Sequence, residues 1–204
     1  MIRLTIDEGF WLVTLDRPDK ANSLTGEMLA EIADIAQRAR LEGARVFAIT
    51  GAGRVFSAGA DLDEARAGLA TDPVWERLSG AIAALPCLSI AALNGTLAGG
   101  AMGMALACDL RIAVPGAKVF YPVMKLGFLP QPSDPKRMVG LIGPARTKMI
   151  LMAGQKVPVE EAHLWGLIDR IVAPDRLLAT VQELASDALG AKAAHVGAIK
   201  ALID

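Results

Sequence analysis

Leu88-Ser89-Ile90-Ala91-Ala92-Leu93-Asn94-Gly95-Thr96-Leu97-Ala98-Gly99-Gly100-Ala101-Met102-Gly103-Met104-Ala105-Leu106-Ala107-Cys108 carries no charge, and the uncharged run reaches back to residue 78. Its length is that of a membrane span. Its punctuation is not. Pro86, Asn94, Gly95, Gly99, Gly100 and Gly103 divide it into short pieces, and a single spanning helix does not carry so many breaks. We read it as a buried strand over 88–93, a turn, and a buried helix over 100–107.

Outward from this segment the pattern recurs. Residues 46–50 are a short apolar run between Arg45 and Gly51, and 110–114 are another; both read as buried strands. Thr25 is placed to cap a helix over 26–41, with Met28, Leu29, Ile32, Ile35 and Ala36 on one face. Residues 74–85 have helical period too. The chain opens on alternating Ile2-Arg3-Leu4-Thr5-Ile6, turns at Asp7-Glu8-Gly9 and runs back from Phe10 to Leu15, which predicts a hairpin. Buried strands alternating with helices imply an α/β fold with parallel pairing. After Pro130 the pattern is helical over 135–142, 144–152, 158–165 and 175–189, with Gly143, Gly154 and Gly166 between. No low-complexity linker divides the chain, so one α/β body with a helical C-terminal portion is expected.

Composition narrows the function. The 204 residues are 53% apolar and 21% charged, which excludes wholesale disorder. Twenty-one basic residues against 22 acidic ones give a net charge of −1, unsuited to nucleic acid or to an anionic membrane surface. Cys87 and Cys108, both in apolar surroundings with no signal peptide ahead of them, read as buried cytosolic thiols, and the expected location is cytoplasmic. No phosphate-binding or dinucleotide-binding glycine motif occurs, and neither His163 nor His195 has metal-ligand spacing. His163 lies on an apolar helical face and reads as a core or interface histidine.

Two backbone features remain. Phe56-Ser57-Ala58-Gly59-Ala60-Asp61-Leu62 is a glycine turn after a buried strand. Asn94-Gly95-Thr96-Leu97-Ala98-Gly99-Gly100 is a strand end entering a helix. Each can leave a peptide N–H pointing into a cleft, the second at a helix N-terminus where negative charge is favoured. Taken singly, each is equally a packing device.

Taken in order they are more specific. Leu15-Asp16-Arg17-Pro18 with Ala21-Asn22-Ser23-Leu24, then the two glycine elements, then Ala107-Cys108-Asp109-Leu110-Arg111-Ile112-Ala113, then Lys125-Leu126-Gly127-Phe128-Leu129-Pro130, and finally Glu161-Ala162 with Gly166-Leu167-Ile168-Asp169-Arg170-Ile171-Val172 resemble the crotonase (enoyl-CoA hydratase/isomerase) superfamily along nearly the whole chain. The resemblance implies the ClpP/crotonase-type spiral of ββα turns over residues 1–143, carrying an acyl-CoA site. It implies that 144–204 is a helical portion used for oligomerisation, shorter than usual for the family, in a homotrimer or dimer of trimers. Met149, Ile150, Leu151, Met152, Leu164 and Trp165 supply apolar surface for such association. The ligand implied is an acyl-CoA thioester, with coenzyme A arriving as part of the substrate and no separate cofactor or metal. By motif position the oxyanion-hole N–H groups belong to Ala60 and Gly100. Asp61, Leu62 and Asp63 follow on the CoA-binding turn, and Lys20, Ala21 and Asn22 lie near the CoA moiety.

The chain also departs from the family. A family hydratase uses two glutamates, whose positions here are Gly103 and Val123. Neither residue moves a proton, so ordinary hydration is expected to be very slow or absent. Isomerases of the family often keep only the second glutamate, which Val123 also removes, and dienoyl-isomerase and dehalogenase relatives place an aspartate about eight residues further on, near Gln131. Tyr121, Gln131, Ser133 and Asp134 are the polar residues close by. Asp134 reads first as the N-cap of a helix starting at Pro135, and Tyr121 as a packing residue. Asp109 reads as structural. Two functions remain open: an enzyme working through an enolate without the usual glutamates, and a non-catalytic acyl-CoA binder. Decarboxylation of a malonyl-type thioester, which needs little proton machinery, stays within the first.

Overall fold

The computed structural model describes residues 1–203. The hairpin at the start is present: β1 (Ile2–Asp7) pairs antiparallel with β2 (Phe10–Leu15). Thr25 caps α1 (Gly26–Leu41), its hydroxyl accepting from the Met28 N–H. The uncharged run resolves into the end of α3 (Val74–Ala83), then β5 (Leu88–Leu93), β6 (Thr96–Ala98), a 3-10 turn over Gly99–Ala101 and α4 (Met102–Leu106). Among the described residues no helix is long and apolar enough to cross a membrane.

The remaining elements complete three turns of a spiral. Each turn is a strand in one sheet, a shorter strand in a second sheet, and one or two helices. The first is β3 (Val46–Gly51), β4 (Val55–Ser57), then α2 (Leu62–Arg66) and α3. The second is β5, β6 and α4. The third is β7 (Leu110–Ala113), β8 (Lys118–Phe120), then α5 (Val123–Leu126) and α6 (Ser133–Leu151). The chain finishes with β9 (Val157–Pro158), α7 (Val159–Trp165), β10 (Arg170–Ile171), α8 (Leu177–Gly190) and α9 (Ala193–Lys200). The larger sheet has the order β1-β2-β3-β5-β7-β10 and the smaller β4-β6-β8-β9. The second strand of each turn is three residues long. That is too short to show a two-residue period, so residues 51–59 read as loop in the sequence although they hold β4.

The parallel pairs β2·β3, β3·β5 and β5·β7 form the floor of the core. Phe47 and Ile49 from β3, Ile90 from β5 and Phe56 from β4 are fully buried there; each such side chain contributes about 1.5–3 kcal/mol over exposure. Cys87 and Cys108 are free and buried, and burial pushes their thiols up to about 11 and about 12.

Beyond residue 143 the chain stays tied to the spiral. β9 pairs with β8 and β10 with β7, so the portion read as helical also lends a strand to each sheet. The α6 span is broken at Gly143, whose φ of +75° and ψ of 167° are not helical, so the two helices expected over 135–142 and 144–152 meet there at a kink. Of the apolar residues expected at the surface, Met149, Met152 and Leu164 are exposed, but Ile150 and Leu151 turn into the core.

Candidate active site

The site begins with two glycines set face to face. Gly59 follows β4 at φ +94° and Gly99 follows β6 at φ +59°, both left-handed values that a side chain resists. They also pack against each other. A Cβ on Gly59 would stand 2.9 Å from the Ala98 carbonyl oxygen and 3.2 Å from Gly99 Cα. Close backbone approach therefore needs glycine at 59, while at 99 it is the left-handed φ that favours glycine. The approach brings the next residues of the two turns, Ala60 and Gly100, to one cleft.

The amides around Ala60 are occupied. The Ala58 N–H donates to Ala21 O, Gly59 N–H to Ser57 Oγ, and Asp61 N–H to Leu24 O. Among the described residues Ala60 N–H has no acceptor. Gly100 N–H also has none, as the first turn of a helix dictates. Two asparagines hold this geometry. Asn94 Oδ1 accepts from Gly51 N–H, while its Nδ2 and that of Asn22 both donate to Val55 O, fixing β4. The Asn22 side chain, expected near CoA, is fully buried in this structural role: its Oδ1 also accepts from Arg17 N–H and its Nδ2 donates to Ala52 O.

Ala60 and Gly100 line a cleft of ≈ 270 Å³ whose opposite wall includes Trp75, Tyr121, Val123 and Gln131. Leu62, 68% exposed, stands at its mouth with Leu126 and Phe128. Lys20 and Asp63 are exposed nearby in sequence, and Ala21 is half-buried. Asp61 turns away: it takes an ion pair at 2.8 Å from Arg17 and caps α2 by accepting from Asp63 and Glu64 N–H. The Arg17 hydrogen bond, with help from those two amides, holds the Asp61 carboxyl below the usual carboxylate range. A larger groove of ≈ 620 Å³, which contains His195, lies between α8, α9 and the start of β5 and β7. It is remote from both glycine turns.

Trp75 is a cleft residue that sequence reasoning missed. Its indole N–H donates to Leu69 O, and a Cβ at Gly100 would meet its ring at 3.0 Å. A tryptophan at a helix start carries no motif, and only the fold brings it over Gly100. Asp134 is the larger correction. It is not an N-cap. It lies in the first turn of α6, fully buried, and among the described residues accepts no backbone N–H. Its Oδ2 accepts from the Tyr121 hydroxyl at 3.1 Å, and its Oδ1 has no partner. A Cβ on Gly103 would stand 2.9 Å from that Oδ1. Burial is the main cause that raises Asp134 to about 7, opposed by the Tyr121 hydrogen bond and Arg137. Gln131 lines the cleft, its Nε2 donating to Ala70 O and its N–H to the Tyr121 oxygen. Asp109 is structural as expected, bonded to Ser89 N–H and Lys200. His163 is exposed and does not enter the core, its Nδ1 bonded to Ile168 O.

The sequence profile of the enoyl-CoA hydratase/isomerase family matches residues 5–204. The chain belongs to that family. YngF of Bacillus subtilis, named as an enoyl-CoA hydratase/isomerase, is 38% identical over 88% of this chain and 72% of its own length. The 1,2-epoxyphenylacetyl-CoA isomerase of Escherichia coli is 32% identical over 98% of this chain and 80% of its own. Among solved structures, the CoA complex of an enoyl-CoA hydratase-like protein of Thermobifida fusca superposes with a TM-score of 0.89 at 32% identity, covering 99% of this chain and 83% of that one. The spiral described above is thus the crotonase fold.

Proposed function

We propose that this chain binds an acyl-CoA thioester with its carbonyl oxygen between the N–H groups of Ala60 and Gly100, and stabilises the enolate formed there. The observation that carries this is the pair of unoccupied amides brought to one cleft by Gly59 and Gly99. Charge gathers on the thioester oxygen as the α-carbon loses a proton. Two fixed donors in an apolar cleft meet that charge without reorganising, and in other enzymes one such donor is worth about 2.7–4 kcal/mol. The CoA portion leaves past Leu62, with Lys20, Ala21, Asp61 and Asp63 forming the surrounding rim. Asn22 serves by holding that rim. The CoA complex of the Thermobifida fusca relative supports this ligand class.

Ordinary hydration is not the activity we assign. Gly103 and Val123 bring no carboxylate to the cleft, and general acid–base help is typically worth about 10²–10⁴-fold. We also propose a homotrimer or dimer of trimers, with Met149, Met152 and Leu164 among the exposed apolar side chains available for contact. Light scattering at micromolar concentration checks the mass, and a monomer would contradict it.

The catalytic reading is tested with butyryl-CoA in heavy water. Deuterium appearing at the α-carbon supports enolate formation. Calorimetric binding without exchange favours the second reading, a non-catalytic acyl-CoA binder. Absence of binding overturns both.

A further inference from the structure

We propose that Tyr121 and Asp134 form the proton relay of this cleft, standing in for side chains that Gly103 and Val123 do not provide. The inference rests on the acyl-CoA reading above.

Three observations support it. Asp134 is the buried carboxylate of this region with an oxygen left unpartnered, and a buried, unpartnered polar atom costs about 1–3 kcal/mol. Such a cost in the first turn of a helix, where the carboxyl caps nothing, marks a retained group. Second, Asp134 occupies space that a side chain at 103 would need, since the 2.9 Å from a Gly103 Cβ to Oδ1 admits no residue larger than glycine without movement. Gly103 and Gly100 lie one helical turn apart, so the carboxyl sits beside the turn that presents the Gly100 N–H. Third, Asp134 does not itself line the cleft, whereas Tyr121 does. The Tyr121 oxygen donates to Asp134 Oδ2 and accepts from Gln131 N–H at 3.4 Å, so the phenol has a proton acceptor on one side and a donor to steady it on the other.

The step balances without a further reactant. The α-C–H bond breaks, its proton passes to the Tyr121 oxygen, and the Tyr121 proton passes to Asp134. The electron pair moves onto the thioester oxygen, held by Ala60 and Gly100. When the relay protons are replaced by deuterons from solvent before the reverse step, return of a deuteron to the α-carbon gives solvent exchange. Return to the γ-carbon of a β,γ-enoyl thioester shifts the double bond into conjugation, and the relay is back in its starting state. A relay of this kind suits isomerisation, in which one group removes and restores a proton, and does not supply the second carboxylate that hydration uses.

The titratable and charged groups facing Asp134 are the neutral Tyr121 phenol from the β8–α5 junction, Arg137 one turn along α6, and Glu76 from α3. Burial together with Glu76 outweighs Arg137 and keeps Asp134 protonated below about 7, so exchange should rise with pH through that value and then level.

The test measures α-deuterium exchange into butyryl-CoA, across pH, for the wild type, Asp134→Asn and Tyr121→Phe, with thioester affinity measured alongside by calorimetry. Each substitution should lower exchange by ~100-fold or more, leave affinity within a few-fold, and abolish the rise near neutral pH. The double variant should lose no more than either single one. Undiminished exchange in Tyr121→Phe, or an unchanged pH profile in Asp134→Asn, would overturn the relay. Wild-type binding without exchange would overturn it while leaving acyl-CoA binding intact, and failure of the wild type to bind would remove both. Conversion of 3-butenoyl-CoA to crotonyl-CoA, followed by enoyl absorbance, gives a second readout that should fall in parallel.

Discussion

One wall of the cleft is backbone and the other is side chain. On the first, Ala60 and Gly100 offer amides whose direction is set by Gly59, Gly99 and the side-chain amides of buried Asn22 and half-buried Asn94. On the second, Tyr121 and Asp134 meet from different elements, 13 positions apart, and only packing against Gly103 and α3 aligns them. A backbone wall tolerates change in its side chains but not in its dihedral angles. A side-chain wall depends on which residues packing brings together, whatever their place in the chain. The difference teaches that charge stabilisation and proton transfer, though they act on one thioester, are separable in this molecule.

The largest effect should come from breaking the backbone wall. Gly59→Val forces a branched side chain onto φ +94° and against Ala98 O, so exchange and isomerisation should fall by more than ~100-fold. Strain of this kind costs roughly 1–3 kcal/mol, read from urea unfolding. Gly100→Pro is a less clean test, because its Cβ would press on the Trp75 ring at 3.0 Å as well as removing the donor.

Next comes an exchange of walls. Wild type should hydrate crotonyl-CoA ~100-fold or more slowly than a two-glutamate hydratase. Gly103→Glu alone drives a second carboxylate into Asp134 and should destabilise without restoring hydration. Adding Asp134→Gly should relieve the collision, and adding Val123→Glu should then raise hydration. A gain from Gly103→Glu with Val123→Glu while Asp134 is kept would contradict the geometry described here.

A smaller effect separates the walls by pH. The folded Asp134 is raised to about 7, against roughly 3.9 for an unfolded aspartate. Between those values the native state holds a proton that the unfolded state has released, so stability falls as pH rises from about 4 to about 7, by at most about 1.4 kcal/mol per pH unit. Asp134→Asn should flatten that limb in urea titrations. A stability curve unchanged by the substitution would mean that the carboxyl is not held protonated.

The smallest effect on chemistry should come from Asn22→Ala. It leaves the Ala52 carbonyl and Arg17 N–H without side-chain partners and weakens the hold on Val55, costing about 1–3 kcal/mol of stability while CoA affinity changes less than a few-fold. Unfolding and calorimetry on the same sample check both halves.

The backbone wall was legible in the sequence because it is local. Gly59 and Gly99–Gly100 each follow a buried strand, and their spacing carried the family resemblance and with it the spiral. The side-chain wall was not. Asp134 before Pro135 has the local signature of a helix cap, and nothing in the sequence says that α6 begins one residue earlier and turns the carboxyl inward toward Gly103. Trp75 was hidden because Gly100, which its ring covers, lies in the next turn of the spiral; Tyr121 was among the polar residues named near the site but read as packing, because its bond to Asp134 depends on how α6 turns. The short strands β4, β6 and β8 were lost to their length.

The account stands on the thioester oxygen lying between two backbone donors. Difference infrared spectroscopy of butyryl-CoA labelled with carbon-13 at its carbonyl reports that contact directly. Two hydrogen bonds from Ala60 and Gly100 polarise the carbonyl, so its stretch should move to lower wavenumber on binding to the wild type and to Asp134→Asn alike, and should stay near its solution position in Gly59→Val. A bound thioester whose carbonyl stretch does not move in the wild type would contradict the central claim.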